Sequence, residues 1–503
     1  MKVVDKMAEK VRNGLRSFLR IEPAQRNIFH ITEILDYEGN AARNRIWFQG
    51  DAEELQQFHK ELPGDVNRTR FWAATPTSAL DIRKIHTGLP GIIAQILTDI
   101  VITDMNDIKL DDGKEEEWKD IAKDNNFKEL ISEALCETLY IGDGAFRVCF
   151  DSEISQYPII EFVSGEKIQL RMDRGRVREI TFRKWVEEGR KTYILYETYG
   201  YGYIRTELQL NGRIVPLDST AETKGLEEEI TFDNSFMMAV PFKVFNSKKW
   251  KGRGKSIYDG KTDNFDALDE CWSQWMDALR KGRAKEYIPS DMLPRNPRTG
   301  EILMANPFDN AYIEHESPMG EGTQKKIEVI QPSIPHESYL STYITCLDLC
   351  LQGIISPSTL GIDMKKLDNA EAQREKEKAT LYTRDKIVEA IQDKLPILID
   401  VVFKAWATWN CQPLEDIKAE IPFGEYANPS FESQVETVSK AKTGGIMSIE
   451  AVVDELYGDS KEEEWKKDEI ERLKAEQGIV TLEEPAVNMD DLDIQEPEKS
   501  GGS

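Results

Sequence analysis

The sequence predicts an α+β protein, predominantly helical, and three observations predict it. Apolar residues recur at helical spacing from Leu89 to Leu139. From Ala145 to Phe245 the pattern switches to short β-rich runs with no helix between them. Beyond that, helices return, and one of them extends from about Asn369 to Trp409.

Taken in order, "MKVVDKMAEKVRNGLRSFLR" reads as a basic amphipathic helix and lacks the long apolar stretch of a secretory signal. Ile92, Ile93, Ile96, Leu97, Ile100 and Val101 form one broad apolar helix face. Phe127, Leu130, Ile131, Ala134 and Leu135 form a second, ended by Gly142-Asp143-Gly144. The runs "AFRVCF", "PIIEFV", "KIQLRM", "REITFRKWV", "KTYILYETY" and "YIRTELQL" are rich in β-branched and aromatic residues. Turn chemistry such as Asp173-Arg174-Gly175 and Asn211-Gly212 separates them, so the expectation is an antiparallel sheet region rather than a βαβ series.

Phe265, Leu268, Trp272, Trp275 and Leu279 then follow a 3-4-3-4 rhythm, with Ser256 as the expected N-cap. A region rich in Pro, Gly and Asn, 282–335, contains two candidate strands, "GEILMA" and "KKIEVI". A helix from His336 to Gln352 follows, with Leu340, Tyr343, Leu347 and Leu351 on one face. Two helices therefore flank an inserted small domain whose ends must lie close together. After the loop "GIISPSTLGIDMKKLDNAEAQ" comes the longest helix, about 60 Å at 1.5 Å per residue. Its first half is nearly all polar. Its second half carries a stripe of Val388, Ile391, Leu395, Leu398, Val402 and Trp409, with Pro396 expected to kink it. Such a helix is expected to line a cavity or lie between subunits. A strand candidate, "DIKAEIPF", precedes helices from Ser430 to Gln477. Between Glu450 and Ser503 there are 18 acidic and 6 basic residues, and 481–503 read as an acidic disordered tail.

Length and charge bound the function. The 503 residues suffice for two to four domains, and a formal charge of −26 argues against tight wrapping of nucleic acid. The longest apolar segment, Ile92 to Ile102, is too short to span a bilayer, so no membrane partner is expected. Cys136, Cys149, Cys271, Cys346, Cys350 and Cys411 form no CxxC pair. Cys346 and Cys350 share a helix face but lack further ligands, so core packing in a reducing compartment is expected and no metal or cofactor is.

The stretch "VFNSKKWKGRGKSIYDG" follows an apolar run, Met237 to Phe245, and contains Gly254-Lys255-Ser256 before a helix, which is the layout of a phosphate-binding loop. The glycine required five positions earlier is Lys249, however. The matching acid in "ILID", Ile397 to Asp400, lies on a helical pattern rather than at a strand end. The reading adopted is mechanical: Gly252 and Gly254 turn the chain and Ser256 caps a helix. His336-Glu337 lacks the second histidine of a zinc protease, no G-x-S-x-G is present, and His30, His59, His86, His315 and His336 form no evident triad. Asp490, Asp491 and Asp493 read as a solvated tail. No catalytic residue is assigned.

The succession of "LPGIIAQILTDIVI", "GKSIYDGKTDNFDALDECWSQWMDALRKG", "SPSTLGIDMKKLDNAEAQREKEKATLYTRDKI" and "AKTGGIMSIEAVVDELYG" resembles a portal protein of tailed bacteriophages, of the kind found in long-tailed phages and prophages of Gram-positive bacteria. The resemblance extends from about residue 85 to 480. It implies a homo-oligomeric ring, usually of twelve copies, at one capsid vertex of a virion assembled in the host cytoplasm. Double-stranded DNA would pass through its channel without sequence specificity. Implied partners are the major capsid and scaffold proteins, the terminase large subunit and the head–tail connector protein. By this similarity 1–255 and 411–440 would form the wing, 256–281 and 336–352 the stem helices, and 282–335 the clip. Residues 353–368 would be the tunnel loop, 369–410 the kinked helix behind it and 441–480 the crown.

An acidic channel wall suits this role, because it lets a duplex slide on water and counterions. In the loop, Lys365 and Lys366 are an adjacent basic pair that would grip or gate DNA, with Leu360 and Met364 narrowing the bore. Arg280, Lys281, Arg283 and Lys285 cluster where stem meets clip and would face DNA, face an acidic partner, or complement a helix C-terminus. Two other readings are carried: a terminase-like NTPase, and a minor capsid or scaffold interaction protein.

Overall fold

A computed structural model describes residues 35–62, 70–74, 82–110, 113–282, 285–289, 295–300, 312–315, 328–331, 333–362, 370–424, 431–444, 447–457 and 463–476. Helix α1 (Tyr37–Gln49) opens on Asp36, whose carboxylate accepts the Gly39 N–H, and closes on Gly50 at φ 74°. Helix α2 (Ala52–Glu61) is capped the same way by Asp51. Helix α3 (Leu89–Asp104) starts with Pro90 in its first turn and buries Ile93, Ala94, Leu97 and Val101. Ile92, expected on that face, is exposed. Helices α4 (Glu115–Asp124) and α5 (Phe127–Ile141) follow, with Gly142 at φ 125° stopping α5.

The expected strands form, but in two sheets rather than one. Strands β2 (Asp143–Cys149) and β3 (Ile159–Ser164) pair with β10 (Ala239–Lys243) in the order β10-β2-β3. A larger antiparallel sheet runs β4 (Ile168–Asp173), β5 (Arg176–Glu188), β6 (Lys191–Gly200), β7 (Tyr203–Leu210) and β8 (Arg213–Val215), with β9 (Glu229–Thr231) also on β7. The β4–β5 and β7–β8 hairpins turn on Arg174-Gly175 and Asn211-Gly212, all four residues at positive φ, as two-residue turns of the primed type require. Strand β1 (Lys109–Leu110) pairs with β14 (Ala419–Glu420), the part of "DIKAEIPF" that finds a partner besides a Met105–Phe423 bridge.

Helix α6 (Thr262–Lys281) and helix α7 (His336–Leu351) flank an insert whose described strands are β11 (Lys285–Pro289), β12 (Tyr312–His315) and β13 (Glu328–Ile330). Strand β11 is central, parallel to β12 and antiparallel to β13. "KKIEVI" therefore supplies β13, while "GEILMA" lies, apart from Gly300, outside the described residues. Helix α8 (Ala370–Trp409) is a single 40-residue element that continues through Pro396.

One core unites these parts. Ile93, Leu97 and Val101 of α3, Ile131 and Leu135 of α5, Phe146 of β2 and Phe242 of β10 pack with Ile387, Ile391, Leu395, Leu398 and Val402 of α8. The second half of α8 is thus a core spine, not a free rod. Trp409, expected on its stripe, is mostly exposed but stacks on Phe150 at 4.8 Å. A smaller cluster of Val186, Tyr193, Leu195, Leu208 and Leu217 serves the outer part of the large sheet.

The chain divides into two units at Gly424, inside the 411–440 segment expected to be continuous. In the second unit are α9 (Phe431–Thr443), α10 (Ile449–Tyr457) and α11 (Glu463–Glu476). Ile449, Val452 and Val453 of α10 are buried, and Tyr457 meets Trp465 edge-on at 5.1 Å. Among the described residues no helix is long and apolar enough to cross a membrane.

Candidate functional site

The glycine loop after β10 folds back on itself. Ser247 N donates to Arg253 O at 3.0 Å and Lys255 N to Phe245 O at 2.8 Å, with Gly252 at φ 86° making the reversal. A phosphate cradle needs unspent amides. Here Gly254 N donates to Asp143 Oδ2 (2.6 Å), Ser256 N to Asp259 Oδ2 (3.1 Å) and Ile257 N to Leu139 O (2.9 Å). A carboxylate of the protein sits where a phosphate would have to be.

Asp143 is the centre of a buried knot. Its Oδ1 also accepts Tyr37 Oη–H at 2.7 Å and Arg253 Nη2–H at 2.9 Å, and the guanidinium stacks 3.8 Å from the Tyr37 ring. Arg253 further donates to the carbonyls of Ile168 and Gly165. Burial, then the neighbouring Asp143 charge, push the Tyr37 phenol far above its usual range. A side chain at Gly254 would run into the Gly142 carbonyl. The loop is a joint that ties the α5–β2 turn to the entrance of α6.

Ser256 does not cap α6. Its Oγ donates to Tyr140 O at 2.6 Å and accepts Tyr258 N–H at 3.0 Å, fastening the joint instead. The helix starts at Thr262, six residues later than expected, with Lys261 at the N-cap position and no side-chain cap. Position in sequence suggested a cap; a long-range carbonyl claimed the hydroxyl first.

Helices α6 and α7 form an antiparallel pair. At one end Lys261 Nζ and Asn264 Nδ2 donate to Leu349 O at 2.7 and 3.1 Å, closing a C-terminal carbonyl of α7. At the other end a Cβ on Gly282 would come within 2.5 Å of Ile334. The ends of the insert are therefore in contact, as an insertion between packed helices requires. Between them Trp275 stacks on Tyr339 (6.1 Å, 9°), and Trp272 lies 5.6 Å from Tyr343.

Two buried carboxylates anchor the base of α6. Asp266 accepts Phe71 N and Trp72 N, at 3.0 and 3.2 Å. Asp269 accepts Thr87 N and Oγ1 (both 2.9 Å) and Trp72 Nε1 (3.2 Å), and lies 2.6 Å from His86 Nδ1. Burial raises the Asp266 pKa, against the pull of its two amide donors.

Two of the four cations predicted where α6 meets the insert have an unanticipated partner. Arg280 Nη2 lies 2.7 Å and Lys281 Nζ 2.6 Å from the two carboxylate oxygens of Asp277, one turn earlier. Burial would raise the Asp277 carboxyl, but Lys281 and Arg280 outweigh it and hold the pKa below its usual value. The helical spacings i,i+3 and i,i+4 were in the sequence and could have been read. Arg283 lies outside the described residues, and of Lys285 only the backbone, paired with Ile330, is described.

After α7, Gly353 (φ 76°) and Gly361 (φ 68°) bracket a turn at Pro357–Leu360. Buried hydroxyls pin this turn to α8: Ser356 N donates to Thr380 Oγ1 (2.9 Å), the Thr359 and Thr380 hydroxyls bond at 2.9 Å, and Thr383 Oγ1 donates to Ile354 O (2.7 Å). Leu360 is half-buried against the core. Met364, Lys365 and Lys366 lie outside the described residues. One turn further along α8, Arg384 binds Asp104 (2.9 Å) and the Gly424 carbonyl (2.6 Å).

The glycine loop, the turn after α7 and α8 enclose a cleft of about 590 Å³, lined by Lys255, Asp259, Lys261, Gln352, Tyr382 and Lys386 among others. The sequence singled out Lys255 only as part of the phosphate-loop layout, and nothing in it joined Lys261 and Lys386 to one cleft, since the lysines are up to 131 positions apart. Among the described residues no group of three metal-capable side chains assembles. Burial pushes the Cys350 thiol up to about 12, in keeping with a packing role.

No protein-family model and no curated protein matches this chain. Among solved structures, it is similar to a chain of the virion of a native gene transfer agent particle. Identity is 11% and TM-score 0.37, covering 76% of this chain and 89% of that one. A chain in the neck of the native gene transfer agent particle, computed with C12 symmetry, is similar at 12% identity and TM-score 0.35, covering 73% and 89%. Likeness at this level fixes neither the fold family nor the function.

Proposed function

We propose that this chain is a portal subunit: copies assemble into a ring whose channel passes double-stranded DNA into and out of a phage-type capsid. The observation that carries the reading is the antiparallel α6–α7 pair interrupted by an inserted sheet and followed directly by the 40-residue α8. This is the order that the sequence resemblance implies for stem, clip, stem, tunnel loop and long helix. The pair is long enough to form a wall. The aromatic seam of Trp272, Trp275, Tyr339 and Tyr343 holds the pair together, and Leu279 and Leu340, expected on the same stripes as the seam, instead leave apolar faces exposed beside it. Such faces suit lateral packing of one copy on the next.

In this reading the insert meets the terminase large subunit and then the head–tail connector protein, and the wing meets capsid and scaffold. The ring is expected to be twelvefold. The competing NTPase reading is disfavoured by one specific observation: the Gly254, Lys255, Ser256 and Ile257 amides are all bonded within the protein.

Purified chain tests the proposal by native mass measurement together with an ATP hydrolysis assay. A closed oligomer without hydrolysis is expected. A hydrolysing monomer would favour the NTPase, and a chain that assembles only with coat protein would favour a scaffold or minor capsid role.

A further inference from the structure

We propose that the cleft between the glycine loop, the turn after α7 and α8 binds the phosphate backbone of duplex DNA, with Lys255, Lys261 and Lys386 as its cations. The inference rests on the ring reading above and names a contact that reading does not supply. In a chain of net charge −26, three lysines line one cleft. Among the described residues none of them forms an ion pair.

The one acid in the lining, Asp259, is already committed. Its Oδ2 accepts Ser256 N–H at 3.1 Å, and its Oδ1 takes Asn40 Nδ2 at 3.0 Å and faces Arg43 at 3.8 Å. It therefore leaves the lysines uncompensated. Lys261 Nζ is held in place by the Leu349 carbonyl, 2.7 Å away. Lys386 lies 6.0 Å over the Phe245 ring. Burial, with Lys255 nearby, makes the Lys261 charge costly, and an anion in the cleft would relieve that cost.

The lining adds neutral hydrogen-bonding groups, the Gln352 amide and the exposed Tyr382 hydroxyl, beside apolar Phe245, Ile257 and Ile354. Duplex backbones are held by this combination of cations and neutral donors. A separate cleft, lined by Met105, Ile108, Trp118 and Phe127, also carries three lysines, Lys119, Lys123 and Lys128, but there Asp107 and Glu129 share the lining with them. The phosphate-loop lookalike thus spends its amides on the fold and keeps only its lysine for an anion.

The test measures fluorescence anisotropy of a labelled duplex titrated with the assembled full-length protein across a salt series. It compares K255E/K386E with K119E/K123E, which makes the same charge change at exposed residues of the other cleft. The first pair is expected to weaken binding tenfold or more at low salt. It should also lower the slope of log affinity against log salt by about 2 per engaged subunit. The control should change affinity less than threefold. K255Q/K386Q, expected to weaken binding in the same direction, replaces the first pair if it disturbs folding.

Equal loss in both pairs, or no loss in either, overturns the proposal. It is also overturned if inorganic phosphate or polyglutamate competes as well as unlabelled duplex per unit charge. Failure of the ring reading has a different signature, the absence of a closed oligomer, and the contrast between the two pairs does not depend on it.

Discussion

At the residue scale, Asp143 carries more of the architecture than any side chain singled out for DNA contact. It satisfies Tyr37, Arg253 and the Gly254 amide at once, and its loss leaves a largely buried guanidinium unpaired. Removing one member of a buried pair typically costs about 3–5 kcal/mol. D143A should therefore lower the urea midpoint by a corresponding amount, while K255A, at an exposed position, should change it by less than about 0.5 kcal/mol. A similar cost for both would contradict the mechanical account of the loop. Titration offers a second check. Burial raises the phenols of Tyr37, Tyr140, Tyr199 and Tyr258. Folded protein then holds protons that unfolded chain releases above pH about 10, so stability is full below that pH and falls as pH rises through and beyond it. Absorbance at 295 nm should show these tyrosines ionising only together with unfolding. The thiols behave alike: Cys149 and Cys350 are pushed up to about 12 and Cys136 to about 11 by burial, whereas Cys411 is exposed. A thiol reagent at pH 8 is expected to label Cys411 first and those three only on denaturation.

At the element scale, much of the local structure was legible in the sequence because its causes are local. Arg174-Gly175 and Asn211-Gly212 announce their turns through the left-handed conformation they tolerate, and the strands beside them follow from alternation. The 40-residue helix was legible from its stripe. What stayed hidden depends on partners far along the chain. Tyr37 and Asp143 are 106 residues apart, and Ser256 is claimed by Tyr140 across 116. No window of sequence can show that, so the start of α6 was placed at Ser256. The division of the strands into two sheets was hidden for the same reason: β10 returns to β2 from about a hundred residues away. "DIKAEIPF" alternates well enough for a full strand, yet only Ala419 and Glu420 find a ladder partner. The α6–α7 pair makes its own prediction. Trp275→Ala removes the ring between Tyr339 and Tyr343, half-buried in the seam, and should cost about 2 kcal/mol in denaturant unfolding. Little change there would mean that the seam does not hold the pair.

At the scale of the whole molecule, the first unit places a helix pair, a joint locked by Asp143 and a core spine in α8 around a cleft lined by Lys255, Lys261 and Lys386. The rest of the chain is strongly acidic. That distribution suits a conduit, which must touch a duplex at few places and repel it elsewhere. The candidate site was legible only in part: Arg280 and Lys281 at the end of α6 were seen but their Asp277 partner was not, and the lysine cleft appears only after folding. The central claim is that copies encircle an opening with the helix pair in its wall. A symmetric single-particle map of the purified full-length chain tests it most directly. The account predicts a closed ring, open enough for a double helix, with α6 and α7 lining the passage and α8 unbroken beside it. A solitary globule at every concentration, or a ring with α6 and α7 away from the opening, would contradict it.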